Sequence, residues 1–411
     1  MDRNIRWLSF GAVVRASGVS LILPYVALYL RNVLSLGYAT IGVLVALLGV
    51  LPLVVFPFGG AIADRLGRRG LLLASLVLEA GSVLGTGFAM RFDDLAGVLG
   101  FAAAVSLSGA LGGPAFSAYV ADLAVGSERT QGFTWFRIGW NVGFTIGVLS
   151  GGVLIGFLGF SDVGLLAGAV LVASTTLLVG VLEPSPYDRD RARGVPRPAS
   201  AGGTGPPKST WRVLAADRTF LALCAVFSVL ELSVSQWGTV FPLYANTVLG
   251  LRYAYVGVGL ALNGVLVVVA QAPTTRASHG HRHTSLVHLG TLLYVAGFLF
   301  FGFVALVPVL ILGGFLAAVV ILTMGENVLS IPMSTLPSNL APPGEVGAYN
   351  GAFFAIMGVG QVLATTFGGF VLALGASPPV TWTLLMLPAV PALLVSVARV
   401  APRIPAAPNR A

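Results

Sequence analysis

Long apolar runs separated by short polar stretches dominate the sequence. A helix that crosses the hydrocarbon core of a bilayer needs about twenty consecutive apolar residues, and about twelve runs approach or exceed that length. The pattern therefore predicts an all-α membrane protein with about twelve transmembrane helices. The predicted spans are residues 7–30, 38–60, 71–90, 95–122, 132–157, 164–182, 219–246, 253–274, 285–307, 308–336, 348–374 and 381–400.

The composition agrees with this pattern. The 411 residues are 56% hydrophobic and 9% charged, whereas soluble domains carry about 25% charged residues, so the chain cannot cover a water-facing surface. The net charge of +8 raises the question of nucleic acid. However, the basic residues lie in short segments between apolar runs, as cytoplasmic membrane loops require. We therefore predict a lipid bilayer as partner and no nucleic acid. The single cysteine, Cys224, excludes an intramolecular disulfide.

The two halves of the chain repeat each other. The stretch that begins at Tyr38 matches the stretch that begins at Tyr253, and the spacing of Glu128 and Gly143 recurs at Glu345 and Gly360 at nearly the same offset. Such parallel repeats predict two pseudo-symmetric six-helix bundles with a substrate site between them near the midplane.

A polar interval rich in proline and arginine separates the halves. We read it as a flexible linker, with a short interfacial helix expected around Trp211–Leu214. The predicted domains are a first bundle at residues 1–182, a linker at 183–218, a second bundle at 219–400 and a tail at 401–411.

Lysine and arginine are distributed unequally between the two predicted faces. One face holds only Arg31, Arg91 and Arg252, whereas the other holds both terminal regions, the linker and most basic residues. The positive-inside bias therefore predicts a multi-pass protein of the cell (plasma) membrane with both termini and the linker in the cytoplasm.

The segment between the second and third predicted spans carries a recognisable motif. It reads Gly-Ala-Ile-Ala-Asp-Arg-Leu-Gly-Arg-Arg from residue 60 to residue 69. It resembles the signature loop of the major facilitator superfamily, G-x-x-x-D-R-x-G-R-R, at every fixed position. With the duplicated spans, the resemblance covers nearly the whole chain and implies the major facilitator fold. It also implies a gating role, through charge pairing at the cytoplasmic end, for Gly60, Asp64, Arg65, Gly67, Arg68 and Arg69.

The corresponding segment of the second half has lost the acidic position. It contains His279, His281 and His283 but no acidic or sulfur ligand. We predict a degenerate basic loop, and a metal-binding or pH-sensitive loop is the alternative. The sequence predicts no metal and no cofactor.

The fifth predicted span carries small residues at every fourth position, which form one slowly winding stripe where another helix can pack closely. This resembles the helix-five motif of drug exporters, G-x-x-x-G-P-x-x-G-G, although Val148 stands where that motif has proline. The departure weakens the inference of export but keeps the packing surface. The motif residues are Arg137, Asn141, Gly143, Gly147, Gly151 and Gly152.

Ionisable side chains inside spans are costly and usually mark function. In the superfamily that the chain resembles, spans one, four, seven and ten line the cavity. The resemblance therefore directs Arg15, Glu231 and Glu326 toward the cavity and gives Glu79 a local structural partner. Arg15 paired permanently with either glutamate is an alternative. The predicted proton-coupling and substrate residues are Glu326, Glu231, Arg15, Gln236 and Trp237.

We expect a secondary active transporter that works as a monomer by alternating access and exports lipophilic or cationic small molecules in exchange for protons. A carboxylate in an apolar cavity holds a proton readily and can exchange it for a cation. The sequence has no phosphate-binding loop, so we predict that ATP is not the direct energy source. It has no nucleophile–base set and no metal-ligand spacing, so we expect a transporter and not an enzyme. One alternative is proton-coupled transport of a sugar, amino acid or organic anion, with Arg15 and Arg137 binding the anion. A non-transporting receptor or scaffold is another.

Overall fold

The computed structural model describes residues 2–55, 58–124, 126–193, 214–342 and 345–404. Within these residues, twelve helical segments are long and apolar enough to cross a membrane, and no strand occurs. The predicted all-α class with about twelve spans is confirmed. Numbered 1 to 12 in chain order, the spans are Arg3–Asn32, Tyr38–Val55, Arg68–Arg91, Leu95–Leu123, Gln131–Leu158, Phe160–Val181, Arg218–Gly238, Tyr253–Ser278, His283–Val304, Pro308–Leu340, Val346–Ala373 and Pro378–Val400.

Span 7 ends earlier than the sequence predicts. Its α-helix, Arg218–Val234, passes into a 3₁₀ turn at Ser235–Gly238, and a short helix, Val240–Leu243, and a π-helix, Tyr244–Val248, follow. The predicted span over 219–246 is therefore present, but its uninterrupted α-helix ends at Val234. Gly238 favours the interruption because glycine costs about 1 kcal/mol in a helix interior relative to alanine.

The signature segment is more helical than the predicted loop. Residues Gly59–Leu66 form a helix, and the chain turns at Gly67, whose φ of 90° lies in the left-handed region that favours glycine. Span 3 begins at the next residue, Arg68. Gly60 and Asp64 lie in the short helix, but the side chain of Asp64 lies outside what the structure describes.

The predicted linker begins with an ordered helix, Pro186–Ala192. Ser185 and Asp188 form a reciprocal capping box, and Pro186 occupies a first-turn position where its missing N–H costs nothing. The prediction of a flexible tether is wrong for this part. Residues 194–213, which include Trp211 of the predicted interfacial helix, and residues 405–411 of the tail lie outside the described residues.

The chain forms two compact units. Unit 1 comprises Met1–Leu34, Leu48–Gly205 and Arg252–Ala261, and unit 2 comprises Ser35–Leu47, Pro206–Leu251 and Leu262–Ala411. The first residues of span 2 thus belong to unit 2, and the first residues of span 8 belong to unit 1. The domain boundaries read from the sequence stay a prediction.

Each unit has its own packing scheme. In unit 1, span 1 packs on spans 5 and 6, and span 3 packs on spans 4 and 6. Leu72, Phe116 and Tyr119 belong to its buried apolar cluster. In unit 2, span 7 packs on span 11, and span 9 packs on span 10 and on the first part of span 12. Polar and charged residues lie between these packed spans, and the candidate site consists of such residues.

Candidate functional site

Glu326 lies on span 10 of unit 2, where span 8 supplies a hydrogen-bond partner. Asn263 Nδ2 donates to Glu326 Oε2 at 3.0 Å and also lies 3.0 Å from Thr323 Oγ1. Glu326 is partly exposed, whereas its neighbours Gly325 and Asn327 are buried. Glu326 therefore lies at the edge of the packed interior, and a neutral amide holds its carboxylate.

Glu231 lies on span 7, just before the helix breaks. It is 4% exposed and accepts a hydrogen bond from Ser235 in the 3₁₀ turn. Gln361 on span 11 also interacts with the carboxylate, and the charge of Glu326 lies near enough to act on Glu231. Unit 2 thus brings the two predicted carboxylates into one electrostatic environment.

The residues that follow Glu231 have different roles. Gln236 is buried, and its Nε2 donates to the carbonyl oxygen of Ala364 on span 11 at 3.2 Å. Trp237 packs against Phe241 with ring centroids 4.6 Å apart. Both line a small aromatic cavity. Gln236 thus ties span 7 to span 11, whereas the partly exposed Trp237 joins the cavity wall.

Tyr294 on span 9 is a candidate residue that the sequence analysis missed. Its side chain is buried, lines the same cavity and lies beside Trp237. Both Glu231 and Glu326 act electrostatically on it. A single tyrosine in an apolar run gives no periodic or charge signal, so only the three-dimensional arrangement could identify it.

Arg15 is held within unit 1 by Glu79. The guanidinium of Arg15 on span 1 donates through Nη2 to Glu79 Oε1 on span 3 at 2.8 Å, and Nε donates to Oε2. The indole of Trp140 lies 5.4 Å from the guanidinium carbon. Glu79 therefore has the local partner that the sequence analysis expects. The partner is Arg15, so the permanent pairing of Arg15 with Glu231 or Glu326 is not the one formed.

The signature segment is tied to span 4 and to the helix Pro186–Ala192. Arg68 forms a buried ion pair with Asp122. The carboxylate of Asp188 accepts from the backbone N–H groups of Arg68 and Arg69, at 2.8 and 3.2 Å, and so caps the start of span 3. Arg65 is exposed, and its carbonyl oxygen accepts from Arg191. Asp122 and Asp188 lie far from the motif in the sequence, which is why pattern reading missed them.

The glycine stripe of span 5 lies against span 1. A Cβ at Gly139, Gly143, Gly147 or Gly151 would collide with a carbonyl oxygen of span 1, and one at Gly152 would collide with that of Tyr253. The two backbones approach closely enough for Ser17 Oγ to donate to the carbonyl oxygen of Gly143 at 3.1 Å.

The polar residues of the span 5 motif do not join this contact. Arg137 is exposed, and Asn141 donates to the carbonyl of Arg137 within its own helix at 2.8 Å. The amide of Asn141 is therefore satisfied within span 5, because its own helix supplies an acceptor one turn away.

The three histidines of the second-half loop differ in burial. His279 and His281 are exposed, and His283 is buried beside Thr335. Among the described residues, no group of three histidine, cysteine, aspartate or glutamate side chains could hold a metal ion.

The twelve candidate spans of the described residues, in a duplicated sequence and with charged residues buried inside them, indicate a polytopic membrane protein. Residues 8–365 match the family model described as Major Facilitator Superfamily. The chain belongs to the Major Facilitator Superfamily, and the superfamily resemblance of the signature segment is confirmed.

Two relatives are resistance proteins. The class C tetracycline resistance protein of Escherichia coli is 29% identical over 270 residues, covering 63% of this chain and 63% of that protein. Multidrug resistance protein 2 of Bacillus subtilis is 25% identical over 256 residues, covering 62% of this chain and 61% of that protein. The chain thus spans about three-fifths of the length of these relatives.

The fold also matches solved transporter structures. The crystal structure of the nucleoside transporter NupG aligns with a TM-score of 0.77, covering 97% of this chain and 99% of that one. The identity is 12%, so this likeness concerns the fold alone.

Proposed function

We propose that the protein is a secondary active transporter that exports lipophilic or cationic small molecules in exchange for protons across the cell membrane, with both termini in the cytoplasm. The observation that carries the proposal is the pair of carboxylates in unit 2. Glu231 is buried, Glu326 is partly exposed, and both are held by neutral side chains rather than by a permanent cation. Such carboxylates can exchange a proton for a cationic substrate.

The state of Arg15 favours a cation over an anion as substrate. An arginine that binds substrate carboxylate or phosphate needs a free guanidinium face, but Arg15 already gives two donors to Glu79. Arg137 is exposed on span 5. The basic side chains of the first six spans thus give the anion alternative less support than the glutamates of unit 2 give export of cations.

The names of three relatives support the proposed export of drugs. Two of them are named for resistance to tetracycline and to multiple drugs, and a third is named for resistance to quinolones. We carry these names over only as a choice of probes: ethidium as a lipophilic cation, tetracycline and a quinolone.

We further propose that the signature segment controls the transport cycle and does not contact substrate. Arg68 forms an ion pair with Asp122, and the backbone N–H groups of Arg68 and Arg69 donate to Asp188. Charge contacts of this kind can bias an equilibrium between two conformations, because each state forms a different set of pairs.

Everted membrane vesicles test the proposal. Respiration acidifies the lumen, a fluorescent dye reports lumenal pH, and the three drugs are added first, followed by sugars, amino acids and nucleosides. We expect proton release on addition of ethidium with the natural chain and with Glu128→Gln, an exposed control, but not with Glu326→Gln. A response only to a metabolite would replace drug export with metabolite transport.

A further inference from the structure

A cleft in unit 1 lies beside the point where span 3 begins and span 6 ends. The signature segment contributes Leu66, Gly67 and Arg69 to its wall, and the helix Pro186–Ala192 contributes Asp188, Arg189 and Arg191. Span 3 starts at Arg68 and span 6 ends at Val181. Both spans end beside the cleft, so in a bilayer we expect the cleft to lie near the lipid headgroups.

The cleft carries an excess of positive charge. Three guanidinium groups line it, and its single carboxylate, Asp188, already accepts from the backbone N–H groups of Arg68 and Arg69. One carboxylate balances only one of the three guanidinium charges, so the lining of the cleft keeps a net positive charge.

Each of the three arginines makes contacts with the protein but keeps N–H groups that could donate to a ligand. Arg69 donates through Nε to the carbonyl of Leu182 at 2.8 Å and through Nη2 to that of Val179 at 3.2 Å. Arg191 donates through Nη2 to the carbonyl of Arg65. Arg189 lies 3.6 Å from Glu183, and both side chains are half exposed. The hydrogen-bond acceptors of Arg69 and Arg191 are neutral carbonyl groups, and Asp188 is the one carboxylate beside them, so an anion that enters the cleft meets oriented donors and a net positive charge.

The wall beside the arginines is apolar. Leu66, Pro184 and Ala192 line it, and Leu66 is 60% exposed. A ligand that combines an anionic oxygen cluster with hydrocarbon chains satisfies both parts of this surface. Arginine forks suit phosphate oxygens in particular, because two parallel N–H groups match two oxygens.

We propose that this cleft binds the phosphate of an anionic phospholipid and that the bound lipid fastens the helix Pro186–Ala192 to the signature segment. The phosphate bridges Arg69, on the signature side, and Arg189 and Arg191, on the helix side. Basic clefts at the ends of transmembrane helices bind anionic headgroups by the same electrostatics. The site does not depend on which substrate the protein carries.

Native mass spectrometry of the full-length protein in detergent tests the site, with phosphatidylglycerol, phosphatidylcholine and inorganic phosphate as probes. We expect selective retention of phosphatidylglycerol. The double variant Arg189→Gln/Arg191→Gln should bind it about twenty-five-fold more weakly, from roughly five-fold per arginine near a headgroup. The matched control Arg193→Gln/Arg403→Gln removes two exposed arginines that do not line the cleft, and its affinity should stay within about three-fold of the natural chain.

Three outcomes decide the proposal. Equal affinities of the two double variants, or equal retention of phosphatidylcholine, would overturn it. Displacement of phosphatidylglycerol by millimolar inorganic phosphate would keep the phosphate site and assign it to a soluble anion. Hydrogen exchange provides a second readout, because bound lipid should slow exchange in residues 186–192 of the natural chain and of the control but not of Arg189→Gln/Arg191→Gln.

Discussion

Arg15 and Glu79 form a two-point ion pair that joins span 1 to span 3. Nη2 lies 2.8 Å from Oε1, Nε donates to Oε2, and the side chains are only 13% and 4% exposed. Both charges are thus removed from water, and each depends on the other for compensation. The pair binds unit 1 together and takes Arg15 away from the role of a free anion-binding group.

Removal of one partner should destabilise the protein more than removal of both. Arg15→Met or Glu79→Leu leaves an uncompensated buried charge, which costs about 3–5 kcal/mol. The double variant Arg15→Met/Glu79→Leu should melt at a higher temperature than either single variant. Thermal unfolding in detergent measures the order.

The exposed pair of Arg91 and Asp162 is the matched control for this experiment. It spans 2.9 Å with side chains 57% and 48% exposed, so Arg91→Gln should cost less than about 1 kcal/mol. A double variant of the buried pair that is less stable than both of its single variants would contradict the account.

The sequence predicts the spans and the ionisable residues inside them, but it does not predict which of these residues pair with each other. Apolar run length predicts the spans, since a bilayer sets the length of each helix. Ionisable residues inside the apolar spans are costly, so the sequence also indicates that Arg15, Glu79, Glu231 and Glu326 have a structural or functional role. Pairing, however, is decided by which helices are neighbours, and span 1 meets span 3 at Arg15 and Glu79 for reasons that no local pattern contains.

The sequence also fails to predict two local features, which are the breaks in span 7 and the helix at the start of the linker. Apolar content extends through residues 235–246, so hydropathy alone cannot locate the end of the helix at Val234. In the linker, Ser185 and Asp188 form the capping box of the helix, and Pro186 lies in its first turn. These are local helix-start signals, but the high proline and arginine content of the whole interval favours a flexible tether.

Close packing of spans 1 and 5 should make Gly143 intolerant of a side chain. A Cβ there meets the carbonyl oxygen of Val13, whereas a Cβ at Gly156 on the same helix meets no heavy atom within 4 Å. Gly143→Ala should destabilise the protein by about 1–3 kcal/mol through overpacking, while Gly156→Ala should be neutral or stabilising because alanine favours helix. Melting temperatures of the two variants test this, and equal values would show that the contact is not tight.

Asn263 should act through Glu326. Its amide is the hydrogen-bond donor to the carboxylate of Glu326 at 3.0 Å, and a hydrogen bond to a charged group contributes about 1.5–3 kcal/mol. Asn263→Ala should therefore slow proton-linked ethidium transport by about tenfold or more. In the Glu326→Gln background, the same substitution should have little further effect, because residues of one network are not additive. Independent, additive losses would separate the two residues.

Asp188 should influence the transport cycle rather than the binding of substrate. Its carboxylate caps the start of span 3 through the N–H groups of Arg68 and Arg69. Asp188→Ala should lower the maximal rate of ethidium transport several-fold and leave equilibrium ethidium binding unchanged, whereas the exposed Asp162→Asn should alter neither. Weakened binding at an unchanged maximal rate would place Asp188 in the substrate site instead.

Gradient-driven accumulation of ethidium in reconstituted proteoliposomes shows whether Glu326 couples transport to protons. An acidic lumen is imposed by a pH jump, and ethidium uptake is followed with and without an ionophore that dissipates the gradient. The natural chain should concentrate ethidium only while the gradient persists, and Glu326→Gln should not concentrate it at all, although it melts at the same temperature. Gradient-driven accumulation by Glu326→Gln at the natural rate would contradict the account.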